Sequence, residues 1–148
     1  MFSSCGLFDF NGITNDYDEL TDHQKMKVTK LSSFENLNND LIYEISGPQL
    51  LEELKRNEKS LVYTFANGCS SENCLPLSQI EYYATEYGYE LYLIMSGYSR
   101  LDATTSQPID LPLFAISTEY YETNKSRKYQ RAFRKDLGYN EFVSEHGR

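Results

Sequence analysis

The chain has 148 residues, a length typical of one domain that buries a core without needing disulfides to hold it. Its net charge of −8 argues against a nucleic acid partner, because phosphate binding requires a basic surface. No run of about 18 apolar residues is present, so the sequence offers no candidate for a membrane-spanning helix. The 13 Tyr and 8 Phe argue against a disordered chain.

The beginning of the chain differs in composition from the rest. Residues 6–38 are dense in Asn, Asp, Ser and Thr, and their apolar residues show no sustained period, although 22–31 could form a short helix. We therefore predict a polar leader or tether at 1–39, a folded domain at 40–138 and a tail at 139–148.

From Leu41 onward, β-prone runs alternate with helical patterns. Strands are predicted at 41–45, 61–66, 89–95 and 112–116, with a short hairpin partner at 120–123. Helices are predicted at 46–57, 75–87 and 126–137. This order predicts an α/β domain in which helices flank a central mixed sheet of four to five strands, parallel at first and with a late antiparallel edge.

Several residues mark helix ends. Ser46 can cap the first helix, Pro48 is tolerated in its first turn, and Gln49 completes a capping box with Ser46. Gly88 and Gly138 follow the last two helices, where a left-handed cap is common.

Two of the three cysteines lie close together, with four residues between Cys69 and Cys74. Residues five apart in a regular helix have Cα atoms about 8–9 Å apart, outside the disulfide range of about 4.4–6.8 Å. The two cannot form a bond if both lie within one regular helix, but they can do so if Cys69 stays in the loop and Cys74 lies at the start of the helix. A redox-active dithiol, a structural disulfide and two reduced thiols all remain open.

The sequence around the pair gives no sign of strong thiol activation. A helix N-terminus and nearby cations stabilise thiolates, yet no Lys or Arg occurs between Lys59 and Arg100. Glu72 is the charged residue between the cysteines, and a carboxylate facing a thiol raises its pKa.

Other candidate groups point to no further chemistry. We expect His23 and His146 at the surface, and we predict no cofactor and no metal, because a second cysteine pair and a His cluster are both lacking. Tyr83 and Tyr87 share the apolar side of their predicted helix, which favours the core, whereas Tyr82 points elsewhere. An aromatic peptide-binding surface is the alternative for these tyrosines.

This order of elements resembles the thioredoxin family over roughly residues 40–138. The apolar strand 61–66 runs into Asn67-Gly68-Cys69, as thioredoxins run into their first active-site Cys, and Pro76 lies near the start of the next helix. Two departures are clear: Gly68 replaces the usual Trp, and four residues instead of two separate the cysteines.

The resemblance also covers a second landmark, Ile109-Asp110-Leu111-Pro112-Leu113-Phe114, which is similar to the segment that carries the family's cis-proline. It implies that Pro112 is cis, faces the cysteines and shapes a substrate groove in which the backbone near Leu111 pairs with an extended peptide. It further implies thiol–disulfide exchange with protein or peptide partners, in which Cys69 attacks and Cys74 resolves the mixed disulfide.

The first residues carry a separate resemblance. Phe2-Ser3-Ser4-Cys5-Gly6 is similar to the end of a bacterial lipoprotein processing box, in which small residues precede a Cys that becomes lipidated. It implies a periplasmic or cell-envelope protein anchored to the membrane through Cys5, and the alternative is an ordinary exposed Cys. The function predicted from the whole sequence is thiol–disulfide exchange by a thioredoxin-like envelope protein. The alternative is a non-catalytic binding module whose Cys69–Cys74 bond is structural.

Overall fold

A computed structural model describes the backbone of residues 2–4 and the whole of residues 13–70, 72 and 74–138. The strands are β1 (Phe2–Ser4), β2 (Val28–Lys30), β3 (Ile42–Ile45), β4 (Ser60–Phe65), β5 (Glu90–Met95) and β6 (Leu113–Ile116). The helices are α1 (Asp22–Lys25), α2 (Gly47–Leu54), α3 (Leu77–Tyr87), α4 (Leu101–Thr105) and α5 (Ser126–Asp136). The fold is therefore α/β, as predicted.

The strands form one sheet in the order β1-β4-β5-β6-β3-β2, and every pairing between them is parallel. The prediction of a mixed sheet with an antiparallel edge was therefore wrong. Residues 118–122 form turns instead of a hairpin strand, and the Tyr121 hydroxyl accepts a hydrogen bond from the Gly47 backbone N–H at 2.8 Å. The same hydroxyl donates to Asp136 Oδ2 at 2.8 Å, so this segment joins α2 to α5 rather than extending the sheet.

The helix-end signals were confirmed. Ser46 caps α2, its side chain accepts from the Gln49 N–H, and the Gln49 side chain accepts from the Ser46 N–H at 2.9 Å. Gly88 ends α3 with a φ of 72°, and Gly138 follows α5 with a φ of 89°. These signals are local, so they survive whichever way the elements later assemble.

The predicted leader behaves differently from a tether over its described part. β2 pairs with β3, placing Val28 beside Ile42, and Leu20 and Leu31 are buried in the two cores. The four-residue helix α1 has its own capping box at Thr21. The structure therefore shows no domain boundary at residue 40 within the described residues. The sequence did not reveal β2 because a three-residue edge strand is too short to produce a visible hydrophobic period. The tail predicted at 139–148 lies outside the described residues.

The sheet separates two cores. One face packs against α3 and α4 through residues that include Leu77, Ile80 and Leu101, and the other packs against α2 and α5 through residues that include Leu50 and Phe133. The result is a three-layer arrangement in which loops from neighbouring strands meet at the carboxyl edge of the sheet.

Candidate functional site

The two neighbouring cysteines form a disulfide in the loop between β4 and α3. The Cα atoms of Cys69 and Cys74 are 6.1 Å apart, within the ordinary range for such a bond. The bond forms because both residues lie outside the regular helix: α3 begins only at Leu77, so Cys74 precedes the helix rather than opening it. Structural and redox-active pairs share this geometry.

The two sulfur-bearing residues differ in access to solvent. Cys69 is exposed, whereas Cys74 is of intermediate burial, and Glu72 between them is also exposed. Cys69 is therefore the more accessible residue of the pair. Glu72 points a charge into solvent, where screening weakens its influence on the sulfurs.

Arg100 is the cation that sequence reasoning missed at this site. Its Nη1 donates a hydrogen bond of 2.8 Å to the carbonyl oxygen of Gly68, the residue directly before Cys69. The guanidinium lies so close to Gly68 that an added Cβ would come within 2.7 Å of Arg100 Cζ, and the φ of Gly68 is +68°. The positive φ favours glycine at this position, and a larger residue would also displace the Arg100 side chain.

A buried hydrogen-bond network fixes the backbone just before this loop. Asn67, which is 3% exposed, donates through Nδ2 to the Gly97 carbonyl at 2.8 Å and accepts from the Thr104 hydroxyl. The network joins the carboxyl end of β4 to the end of β5 and to α4. The disulfide loop thus begins from a rigid position.

The N-terminus of α3 is partly satisfied from within the chain. Pro76 is its N-cap residue, close to the helix start as predicted, and it supplies no side-chain cap. Gln107 replaces that cap, because its Oε1 accepts from the Leu77 N–H at 3.1 Å. This helix end therefore has one fewer free N–H group to stabilise a nearby thiolate.

The predicted groove residues lie elsewhere. Pro112 immediately precedes β6, and β6 runs parallel to β5 and β4, so Pro112 is at the amino edge of the sheet while Cys69 is at the carboxyl edge. Leu111 lines a cleft of about 120 Å³ beside Ile42 and Gln107. No peptide bond among the described residues is cis, so the prediction of a cis Pro112 was wrong. Pro112 would face the cysteines only if the strand that follows it ran antiparallel to β4 and β5, whereas β6 is parallel to them.

The usual ligand position of such a sheet is filled by the chain itself. In doubly wound sheets, ligands bind between neighbouring strands whose following helices lie on opposite faces, here β5 and β6. Asn15 accepts a hydrogen bond of 2.8 Å from the Tyr98 N–H at this point, and the Ile13 carbonyl accepts from the Ser126 N–H at 3.0 Å. The disulfide loop lies at the same edge of the sheet, with Cys69 exposed to solvent.

A partly buried carboxyl group lies behind the filled position. Glu44 Oε2 accepts a hydrogen bond of 3.0 Å from the hydroxyl of Tyr98, which is 2% exposed. Burial raises the pKa of Glu44, while the Tyr98 hydroxyl and the Lys30 ammonium oppose the increase. Burial likewise raises the pKa of Tyr98, so this phenol remains a donor throughout the accessible pH range.

Replacing Tyr98 by Phe is expected to lower the free energy of unfolding by about 1.5–3 kcal/mol at about pH 7, because an ionised carboxylate loses its donor. The raised pKa means that the folded chain binds this proton more tightly than the unfolded chain, so Glu44 adds stability as the pH falls through that pKa. The loss should therefore shrink at about pH 4.5, close to the unfolded pKa of Glu. Urea unfolding at both pH values measures it.

Tyr129→Phe is the matched control for this measurement. The Tyr129 hydroxyl is buried in the same way but donates to the Ser96 carbonyl, a neutral acceptor. Its loss should cost the same at both pH values. An equal cost of Tyr98→Phe at the two pH values would contradict the assigned role of Glu44.

The tyrosines of α3 are more exposed than predicted. Ile80 and Ala84 face the sheet, whereas Tyr83 and Tyr87 are 39% and 56% exposed. Tyr83 is one residue, or about 100°, round the helix from Ala84, which takes it out of the sheet-facing stripe. The prediction of a core position for Tyr83 and Tyr87 was therefore wrong. The rings of Tyr83 and Tyr87 contact each other, and we call this exposed pair the α3 tyrosine face. Tyr82 is also 71% exposed, on another side of the helix.

The remaining predicted groups fall into two sets. His23 is exposed, as predicted, and His146 and Cys5 lie outside the described residues. Within the described ranges, no group of three His, Cys, Asp or Glu side chains is arranged to hold a metal ion. Over the same ranges, no helix has the length and apolar character that crossing a membrane demands.

Comparison with protein-family models, with curated proteins and with solved structures finds no match to this chain.

Proposed function

We propose that this protein catalyses thiol–disulfide exchange, with Cys69 attacking and Cys74 resolving the mixed disulfide. The observation that carries the proposal is the position of the bond: it lies in a solvent-facing loop at the carboxyl edge of a parallel sheet, with Cys69 exposed and Cys74 of intermediate burial. An exchange catalyst needs one sulfur that partners can reach and a second that they reach less easily.

The bonds and electrons of the exchange reaction balance between the cysteine pair and its substrate disulfide. The Cys69 thiolate of the reduced protein attacks a substrate disulfide, which forms a mixed disulfide and releases one substrate thiolate. The Cys74 thiolate then attacks the Cys69 sulfur, which closes the Cys69–Cys74 bond and releases the second substrate thiolate. The substrate gains two electrons and the protein loses two, and the same steps run in reverse when the protein is the oxidant.

The short loop also favours a chemical role over a structural one. On the chain-entropy model, a closed loop of this length stabilises the fold by about 2 kcal/mol. The described fold already has two cores and a buried polar network next to the loop, so that contribution is modest.

The thioredoxin resemblance supports the proposal through one part of the chain. The order of a buried strand, a cysteine loop and a helix whose N-cap residue is Pro76 is similar to the thioredoxin arrangement. The parallel direction of β6 and the position of Pro112 differ from it. The proposal therefore includes no substrate groove at Leu111 or Pro112, and the approach to the disulfide lies along the loops that follow β4 and β5.

The expected substrates are protein or peptide thiols and disulfides, and the expected compartment is oxidising. Disulfides persist in extracytoplasmic spaces and are rare in the cytosol. The lipoprotein-like segment around Cys5 is consistent with a bacterial periplasm or cell envelope, with a lipid on Cys5 as the membrane contact. Mass measurement of Cys5 in protein isolated from envelope membranes tests this part.

A binding module with a structural disulfide is the second candidate, and the α3 tyrosine face favours it. Exposed Tyr side chains supply contact area at a low cost in conformational entropy. The rings of Tyr83 and Tyr87 are 4.7 Å apart, so they already hold each other in place. An envelope protein bound at this face would leave the cysteines without turnover.

The test is the rate at which the protein exchanges disulfides with a small disulfide-bonded peptide in a glutathione buffer. We expect the wild-type chain to accelerate exchange in proportion to its concentration, and the Cys69→Ser/Cys74→Ser variant to give only the rate of the buffer. Cys5→Ser serves as the matched single-thiol control and should retain the rate. Equal rates for the wild type and the double variant would reject exchange and favour the binding module.

A further inference from the structure

The contact between Arg100 and Gly68 brings a positive charge next to the disulfide loop. Arg100 follows β5 and Cys69 follows β4, and the two strands are adjacent and parallel, with Phe65 beside Met95 in register. Their carboxyl ends therefore deliver the two loops to the same place. The guanidinium then donates to the carbonyl of Gly68, one residue before the exposed Cys69.

We propose that Arg100 is a positioning residue for this site, which fixes the peptide before Cys69 and stabilises the Cys69 thiolate with its positive charge. This inference rests on the proposed function and names a residue that serves it. Nearby cations are a standard means of stabilising protein thiolates.

The backbone on both sides is shaped to make this contact. Arg100 itself has a φ of +55°, an uncommon conformation for a residue with a side chain. Gly68 has a φ of +68° and leaves space for Arg100 Cζ and Nε, which would lie 2.7 Å from an added Cβ. An uncommon backbone conformation at Arg100 and a glycine at position 68 thus occur at the two ends of one hydrogen bond. A surface arginine with no role at this site would require neither feature.

Other charges on the segments that meet here are acidic. Glu72 lies in the disulfide loop, Asp102 lies on α4, and Glu81 lies in the second turn of α3. Asp102 accepts a hydrogen bond of 2.9 Å from Gln24 Nε2, which directs it towards α1. One N–H group at the N-terminus of α3 already donates to Gln107. Arg100 is the cation that is hydrogen-bonded next to Cys69, at the Gly68 carbonyl.

The test uses a background of Cys5→Ser and Cys74→Ser, in which Cys69 is the one remaining thiol. The rate of alkylation by iodoacetamide is measured against pH, with and without Arg100→Gln. Glutamine removes the positive charge but, like arginine, carries a side chain, so the variant does not relax the backbone at position 100 as glycine would. We expect the pH midpoint of alkylation to move upwards and the thiolate fraction at about pH 7 to fall roughly 3- to 10-fold.

Two further variants separate charge from structure. Arg100→Lys should bring the pH midpoint of alkylation most of the way back to the wild-type Arg100 value, because lysine keeps the positive charge although it lacks the planar guanidinium. Lys128→Gln makes the same change in net charge on the exposed side of α5 and should leave the midpoint where it was. Gly68→Ala tests the contact from the other side and should move the midpoint in the same direction as Arg100→Gln.

The outcomes distinguish this inference from the proposed function. An Arg100→Gln midpoint equal to that of Lys128→Gln overturns the role of Arg100, even where the wild-type chain exchanges disulfides. A raised midpoint with recovery in Arg100→Lys supports the role. Because alkylation needs no substrate disulfide, the result stands whether or not the Cys69–Cys74 pair turns over.

Discussion

Replacing Cys74 by Ser is expected to trap substrate on the protein, whereas replacing Cys69 by Ser is expected to abolish exchange. Cys69 is exposed and Cys74 is of intermediate burial, so we expect the first covalent bond to a partner to form at Cys69. Without Cys74 no second thiolate attacks that bond, and a mixed disulfide accumulates. Without Cys69 the attack on substrate does not begin.

Mass measurement of each variant after incubation with a disulfide-bonded peptide checks this asymmetry. Cys74→Ser should gain the mass of one peptide strand, and a reductant should remove it. Cys69→Ser should gain none, and its exchange rate should fall to that of the buffer thiols. Equal adducts on the two variants would mean that neither cysteine is the preferred site of attack, and the assignment of roles would be withdrawn.

Replacing Asn67 by Ala is expected to destabilise the fold by about 2–3 kcal/mol, because it leaves one buried and one part-buried polar group without this partner. These groups are the Gly97 carbonyl, which accepts from Asn67 Nδ2 at 2.8 Å, and the Thr104 hydroxyl, which donates to Asn67 Oδ1. Thr104 is 1% exposed, so water does not readily replace the lost partner. Urea unfolding of the oxidised protein measures the loss.

Asn57→Ala is the matched control for that experiment. Asn57 Nδ2 donates to the Tyr92 hydroxyl at 2.6 Å, but Asn57 is less buried and lies beyond α2, away from the disulfide loop. Its replacement should cost less than about 1.5 kcal/mol, the range of an ordinary hydrogen bond. If Asn67→Ala costs no more than Asn57→Ala, the network does not hold the start of the loop.

Local signals in the sequence predicted most of the elements. The Ser46–Gln49 capping box, the apolar run that became β4 and the helix-ending Gly88 depend on residues close together in the chain, and each appears as predicted. The loop around Cys69 was also predictable, since a bond between residues five apart requires one.

The direction of β6 was not predictable from local signals, because parallel and antiparallel strands have similar composition. The thioredoxin resemblance placed Pro112 near Cys69, a position that needs an antiparallel strand, whereas the parallel β6 places Pro112 at the other edge of the sheet. β2 escaped notice for a different reason: it spans three residues of a polar segment and gains its stability from pairing with β3.

Arg100 was missed because 32 residues separate it from Gly68 in the sequence. A signal for it did exist. The runs that became β4 and β5 were both recognised, and consecutive parallel strands joined by one helix place their carboxyl ends side by side. A cation just after the second strand can therefore reach a cysteine just after the first.

The reduction potential of the Cys69–Cys74 pair tests the central claim most directly. The protein is equilibrated in graded glutathione buffers, its free thiols are alkylated, and its mass is read at each ratio. A midpoint between about −120 and −270 mV, the range of known exchange catalysts, is the result expected of a redox-active pair. A bond that stays closed below about −300 mV would identify a structural disulfide and contradict the proposed function.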